Sequence, residues 1–504
     1  DASATADVTV REEDVTQDFD QSVYEQQVGD IVEITVQLAD IDEAYIFIGG
    51  DAAGFIAAAH VEDGDDDGEV TVAFNSYLAG QSAGHLGSVF SQVGDDTVVS
   101  TFNRSQLNAS NSFSNFDSDY DAETGLGEPV EAGDYDLRVA SSTDMASDGT
   151  VTDENDVATL ILSDRSTDSA TVWTAPQGTS NIDLDELQEA VTQDSSIVIG
   201  DRVVVQVQAS GIYGYFDSIG TEDQILEALA DGSPEPVTLE LKQTNPGANR
   251  KASVVNLSSG TNADLVLDEE NNQFFLVVDT RTVNSTRRNL AAGQNWRATF
   301  TVGSTNTSVE YGNYVVDDDT ESVSGDFSLE DPVGAFNNLN ADGRVQVLQS
   351  SSAQVSGTTN LAPGSTVNVR LRASGDSPFL KTQNVDVASD GTWSATFDMS
   401  AVAVGQEFSA ELRRGTTNLA SPGGVVVSEL EDPDATPTPR VVTVVQPSPT
   451  PRVVEETVVR ERTVERTVIQ TRIVTQSPGQ PGFGIAVAIV ALLAAGLLAL
   501  RRRD

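Results

Sequence analysis

Cysteine is absent from the 504 residues, which excludes disulfides, a thiol nucleophile and any zinc-thiolate site. Lysine is confined to Lys242, Lys251 and Lys381, and the 27 basic residues face 79 acidic ones, for a formal net charge of −52. A field of that sign argues against nucleic acid as a partner. Aromatic residues make up 6% of the chain. Acidic chains poor in aromatics are often disordered, but apolar runs with β patterning, such as Val32–Leu38 and Val203–Val207, recur throughout. A folded protein in concentrated brine reconciles the two, because at about 1 M salt the Debye length falls to roughly 3 Å and self-repulsion is screened. No Rossmann fingerprint, phosphate-binding glycine loop or histidine pair for a metal is present, and His60 and His85 are the only histidines.

What is present is repetition. Gly29–Leu38, Gly200–Ala209 and Gly364–Ala373 each place a turn glycine before apolar residues at every second position. That period describes a strand with one buried and one solvated face. Asp67–Phe74 and Asp390–Phe397 share an Asp-Gly turn feeding an alternating strand, a hairpin signal. The expected class is all-β: tandem Ig-like β-sandwich domains over residues 1–176, 177–330 and 331–430. Two short helices are expected, Asp183–Val191 with Leu184, Leu187 and Val191 on one face, and Thr221–Ala230 with capping-box spacing between Thr221 and Gln224. Trp173, Trp296 and Trp393, one near each expected core, read as packing anchors.

The composition changes at Glu431. The residues from there on hold nine Arg and eight acidic groups, which leaves 71 acidic and 18 basic groups on residues 1–430. Residues 431–480 are rich in Thr and Pro and read as an extended stalk, with a short coiled coil over Thr457–Val474 as the alternative. Phe483–Leu500 is apolar throughout, and as a helix its 18 residues span about 27 Å, close to the hydrocarbon thickness of a bilayer. Arg501, Arg502 and Arg503 then mark the cytoplasmic side. A start at Asp1 without Met is consistent with removal of a signal peptide.

Five Asn-x-Ser/Thr sequons, at Asn103, Asn108, Asn256, Asn284 and Asn306, are candidate glycosylation sites in a secreted chain. Asn103 and Asn108 are expected on an exposed loop. Asp63, Asp65 and Asp67 alternate ahead of Gly68, as in the first half of a calcium loop. The last position of a full EF loop would be Phe74, which cannot ligate, so the readings left are a cation-stabilised β-hairpin loop taking Ca²⁺ or Mg²⁺, or a solvated acidic turn. Asn338, Asn340 and Asp342 repeat the spacing with fewer charges. Gly80–Gly84 matches the string of a hydrolase nucleophile elbow, but that motif works only at a strand-to-helix turn of an α/β sheet, and the reading is a glycine-rich loop in a protein that is not an enzyme.

Pro481, Gly482 and Phe483, directly before the apolar run and the arginine cluster, resemble the PGF-type sorting signal of archaeal surface proteins. Gly29–Leu38, Gly68–Gly80 and Ser389–Asp398 resemble haloarchaeal surface glycoproteins that carry the BGTF surface domain. The resemblance implies processing by an archaeosortase and attachment to an archaeal membrane lipid. It also implies glycans, and itself and other envelope glycoproteins as partners. The function expected is a structural glycoprotein of a halophile's cell surface, forming or supporting an S-layer-like coat. The alternative is a membrane-anchored adhesin or binding module outside the lattice.

Overall fold

The computed structural model describes residues 15–80, 89–103, 106–107, 130–179, 183–230, 236–257, 263–303 and 320–431. They are mostly β-sheet, in six sheets that follow one another in pairs along the chain.

In the first pair, a four-stranded sheet runs in the order Thr16–Phe19, Ile31–Ala39, Glu69–Asn75, Phe90–Gln92. The alternation along Ile31–Ala39 buries Val32, Ile34, Val36 and Leu38 and leaves Glu33 and Gln37 in solvent. Its register sets Val32 opposite Phe74, Ile34 opposite Val72 and Val36 opposite Val70. These residues share a core with Ile46, Ile48, Leu137, Val139 and Leu160 of the facing six-stranded sheet. Each such side chain contributes roughly 1.5–3 kcal/mol through burial. The outer face of the six-stranded sheet is apolar too, where Phe47, Ile56 and Ala58 are covered by Leu107, Met145 and Val151.

The second pair sets Thr167–Ala175, Arg202–Ala209, Gln273–Asp279 and Ala263–Asp268 against Ser196–Val198, Glu321–Glu330, Asn295–Val302 and Val237–Gln243. Thr167–Ala175, just ahead of Pro176, pairs with Arg202–Ala209 just beyond it. Two-sided burial departs from the expected alternation, since Val204 is as inaccessible as Val203 and Val205. The cause is the helix Leu184–Ala190, whose Leu187 packs with Val204, Phe275 and Val277 on the outer face, joined by Leu184, Val191 and Trp173. Trp173 therefore anchors this outer layer and not the first core. The helix starts where Asp183 accepts a hydrogen bond from the Glu186 amide at 2.9 Å, an N-cap. Helix Glu222–Ala230 is preceded by half of the expected box: the Thr221 amide donates to Gln224 Oε1 at 3.0 Å, but the Thr221 hydroxyl donates to the same oxygen instead of accepting from the Gln224 amide.

The third pair sets Gly334–Phe336, Ala353–Thr359 and Thr392–Phe397 against a sheet built on Thr366–Ala373 and Glu407–Arg414. Trp393 lies edge-on to Phe336 with centroids 5.0 Å apart. A Cβ on Gly357 would stand 1.9 Å from the Ala335 carbonyl oxygen and 2.5 Å from the indole, so glycine there is what lets the ring in.

Two aspartates of the repeated turns join one pair to the next. Asp30, 3% exposed, accepts from the Gly211 amide at 2.7 Å and the Tyr213 amide at 3.0 Å. Around it the Gly214 amide donates to the Gly29 carbonyl at 2.9 Å, and the Tyr77 and Tyr215 rings meet edge to face at 5.6 Å. Asp201, with no exposed surface, accepts from the Ala362 amide at 2.9 Å and from Arg414 Nη1 at 2.5 Å. Arg414 Nη2 also donates to the Ile199 carbonyl at 2.6 Å. Burial raises the Asp30 carboxyl to about 6 against the pull of the Tyr213 and Gly211 amides. Burial likewise pushes Asp201 up and Arg414 down, each opposed by the attraction of the other.

Candidate functional site

The acidic loop 63–68 connects Phe55–Glu62 to Glu69–Asn75. Its turn is shaped by Asp66 and Gly68, both at positive φ of 61° and 89°. Asp63 organises it, since one carboxylate oxygen accepts from the Asp66 amide at 2.8 Å and the other from the Gly68 amide at 2.8 Å. Slight burial raises the Asp63 carboxyl, but these amides lower it further, and the net result lies below the usual carboxylate range. Asp65 moves the other way, raised by lost hydration and then by the charges of Asp67 and Asp63. One carboxylate oxygen from each of Asp63, Asp65 and Asp67 lies within 4.8 Å of the others. Ca²⁺ holds its oxygens at about 2.3–2.6 Å, so three oxygens at this spacing fit around one ion, whose remaining positions would go to water or carbonyls. The donors are hard and anionic, which suits Ca²⁺ or Mg²⁺. In the related stretch, Asn340 Oδ1 likewise accepts from the Asp342 and Arg344 amides at 3.1 and 2.9 Å, but this loop offers a single carboxylate, Asp342, where the other offers three.

The sequons differ in setting. Asn103 is not on an exposed loop: it ends the strand Thr97–Asn103 and is 7% exposed. Its Oδ1 accepts from the Gln106 amide at 2.9 Å, and Gln106 Oε1 accepts from the Asn103 amide at 2.9 Å. Asn256 and Asn284 are exposed, and the Asn256 amide donates to the Asn284 carbonyl at 2.9 Å. Asn108 and Asn306 lie outside the described residues, as do Ser82, His85, Pro481–Phe483, the apolar run and Arg501–Arg503. Among the described residues no helix is long and apolar enough to cross a membrane. Gly80 follows a short helix, Ser76–Ala79, capped by Asn75, whose Oδ1 accepts from the Leu78 amide at 3.0 Å.

A second group of potential ligands escapes sequence inspection. His60 and Glu62, two apart on the strand Phe55–Glu62, share a face, and the pairing of Glu43–Gly50 with Phe55–Glu62 brings Glu43 beside them. No spacing along the chain points to Glu43.

Comparison with known proteins bears on the whole chain. Residues 10–142 match a domain of unknown function, DUF7827, and residues 480–502 match the PGF-CTERM motif. A cell surface glycoprotein of Haloferax gibbonsii is 34% identical over 98% of this chain and 54% of its own length. The chain is a homologue of haloarchaeal cell surface glycoproteins. A second such glycoprotein, cell surface glycoprotein 1 of Haloarcula hispanica, is 30% identical over 78% of this chain and 43% of its own. The chain thus spans about half the length of the curated relatives it matches. A solved structure of a bacterial ice-binding adhesin overlaps 82% of this chain and 98% of its own at 14% identity, with a TM-score of 0.16, too low to carry an argument. Homology and the PGF-CTERM motif together place this surface glycoprotein at the cell surface, anchored to the membrane.

Proposed function

We propose that this surface glycoprotein is a non-catalytic building element of an S-layer-like envelope coat. Its tandem Ig-like sandwiches would stand on a Thr/Pro-rich stalk above the C-terminal anchor. A 34% identity to a cell surface glycoprotein, over 98% of this chain and 54% of that protein, carries the reading. The polar joints fit it, because Asp30 and Asp201 tie successive sheet pairs with buried hydrogen bonds and so limit their freedom to swing. Archaeosortase would act at Pro481–Phe483 to transfer the chain to a membrane lipid, and glycans would occupy exposed sequons such as Asn284.

Neighbouring copies carry like charge, so lateral contact needs molar salt to screen it and divalent cations to bridge carboxylates. The acidic loop with Asp63, Asp65 and Asp67 is the proposed Ca²⁺ or Mg²⁺ contact. The test is assembly of the purified glycoprotein at molar salt with Ca²⁺ and Mg²⁺, followed by light scattering and negative-stain imaging. Sheets or ordered clusters that dissolve on chelation support the coat reading. A monomer under all of these conditions would remove the lattice and favour an anchored adhesin.

A further inference from the structure

The strand pair carrying the Glu43, His60 and Glu62 group ends where the acidic loop begins, with the Asp63 amide donating to the Asp42 carbonyl at 2.9 Å. On its last rungs Glu43 stands directly opposite Glu62, and Tyr45 directly opposite His60. Like charges facing each other across a rung destabilise a sheet, and a cation held between them would relieve this pair. His60 is half-way to doing so. Its ring lies flat on Tyr45, with centroids 4.4 Å apart and planes 5° from parallel. Its Nε2 points to Glu43 Oε2 at 2.9 Å. The imidazole side chain is 14% exposed, whereas that of Glu43 is 45% exposed. A shift in register with the next strand falls between His60 and Val61, the kind of irregularity that re-aims a side chain.

One ligand atom from each of the three residues lies within 4.8 Å of the others. Zn²⁺ takes nitrogen and carboxylate oxygen at about 2.0–2.2 Å, so ligand atoms on one ion stand on the order of 3–4 Å apart. Glu62 is exposed and the Glu43 side chain is 45% exposed, which leaves both carboxylates room to turn toward one ion beside the stacked imidazole. One imidazole with two carboxylates is a donor set for borderline first-row cations, and the nitrogen disfavours Ca²⁺ and Mg²⁺ relative to the all-oxygen loop beside it. We propose that Glu43, His60 and Glu62 bind a divalent first-row transition cation of the Zn²⁺ type, which rivets the two strands at the root of the acidic loop. This site is separate in chemistry from the alkaline-earth contact proposed above and does not depend on it.

The probe is Co²⁺, titrated into the 504-residue glycoprotein in molar KCl with excess Mg²⁺ to fill hard-oxygen sites, and followed through its visible d–d absorption. One equivalent is expected to develop the band, and Zn²⁺ is expected to bleach it. Because His60 and His85 are the only histidines, their replacement by Ala assigns the nitrogen: His60→Ala abolishes the band and His85→Ala leaves it unchanged. Glu62→Gln, an exposed change that leaves the fold intact by circular dichroism, removes a proposed ligand and weakens Co²⁺ by at least the roughly tenfold that losing even an outer-shell partner costs. A wild-type band that survives His60→Ala overturns the proposal, as does the absence of any band in the wild type or unchanged affinity in Glu62→Gln.

Discussion

Arg414→Met is the sharpest perturbation of the fold. It removes the guanidinium from Asp201 and from the Ile199 carbonyl while keeping much of the side-chain volume. Asp201 has no exposed surface, so its carboxylate is left with the Ala362 amide and no directly bonded countercharge. Breaking a buried pair from one side costs about 3–5 kcal/mol. Arg281 still attracts Asp201, which argues for the lower end, about 3 kcal/mol. For a domain of about 100 residues each kcal/mol moves the midpoint by roughly 4–8 °C. The calorimetric transition that melts the sheet pair built on Thr366–Ala373 and Glu407–Arg414 should therefore fall by about 10 °C or more. Pairing the change with Asp201→Asn removes the stranded charge and should recover much of the loss, because replacing both partners of a buried pair is often near neutral. A midpoint within about 2 °C of wild type for Arg414→Met would refute the reasoning, and so would a double variant as unstable as the single one.

Other consequences follow from the same geometry. Asp30 has its folded-state carboxyl raised to about 6, above its unfolded value, so the native state holds this proton more tightly. Its contribution is present below about pH 4 and is lost as pH rises through about 6. Asp30→Asn removes that term, and the stability difference, wild type minus variant, should grow as pH falls from about 6.5 to 4; a flat difference in matched melts counts against the assignment. Replacing Asp65 and Asp67 by Asn leaves the hydrogen bonds of Asp63 in place, so the loop should keep its shape while added Ca²⁺ ceases to raise the melting temperature. Equal Ca²⁺ protection in both proteins would place the ion elsewhere. Gly357→Ala drives a methyl group into the Ala335 carbonyl and the Trp393 ring, and it should cost about 1–3 kcal/mol as overpacking, read from the same calorimetric transition.

Where local pattern and environment agree, the chain is readable. Ile31–Ala39 and Thr366–Ala373 face water on one side, and their period-two apolar residues point inward as expected. Arg202–Ala209 has the same sequence pattern but carries a helix on its outer face, so Val204 is buried where solvent was expected. Helix Tyr213–Ile219 has no side-chain cap at its start, and Tyr213, Gly214, Tyr215 and Phe216 are all buried. A helix held in place by such packing leaves little periodicity to read. Asp30 and Asp201 look like ordinary turn residues because their partners lie 181 and 213 positions away. The two ligand groups divide in the same way. Asp63, Asp65 and Asp67 converge through a local turn, so their spacing announces them. Glu43, His60 and Glu62 depend on strand register, which composition and spacing do not encode.

The central claim is that this glycoprotein builds the envelope coat. Electron cryotomography of envelopes from the source organism tests it most directly, with the protein tagged near Ser428 and compared with a deletion strain. The account predicts a regular surface array that carries the label and is lost on deletion. An intact array with sparse label would contradict it and leave an anchored adhesin in its place.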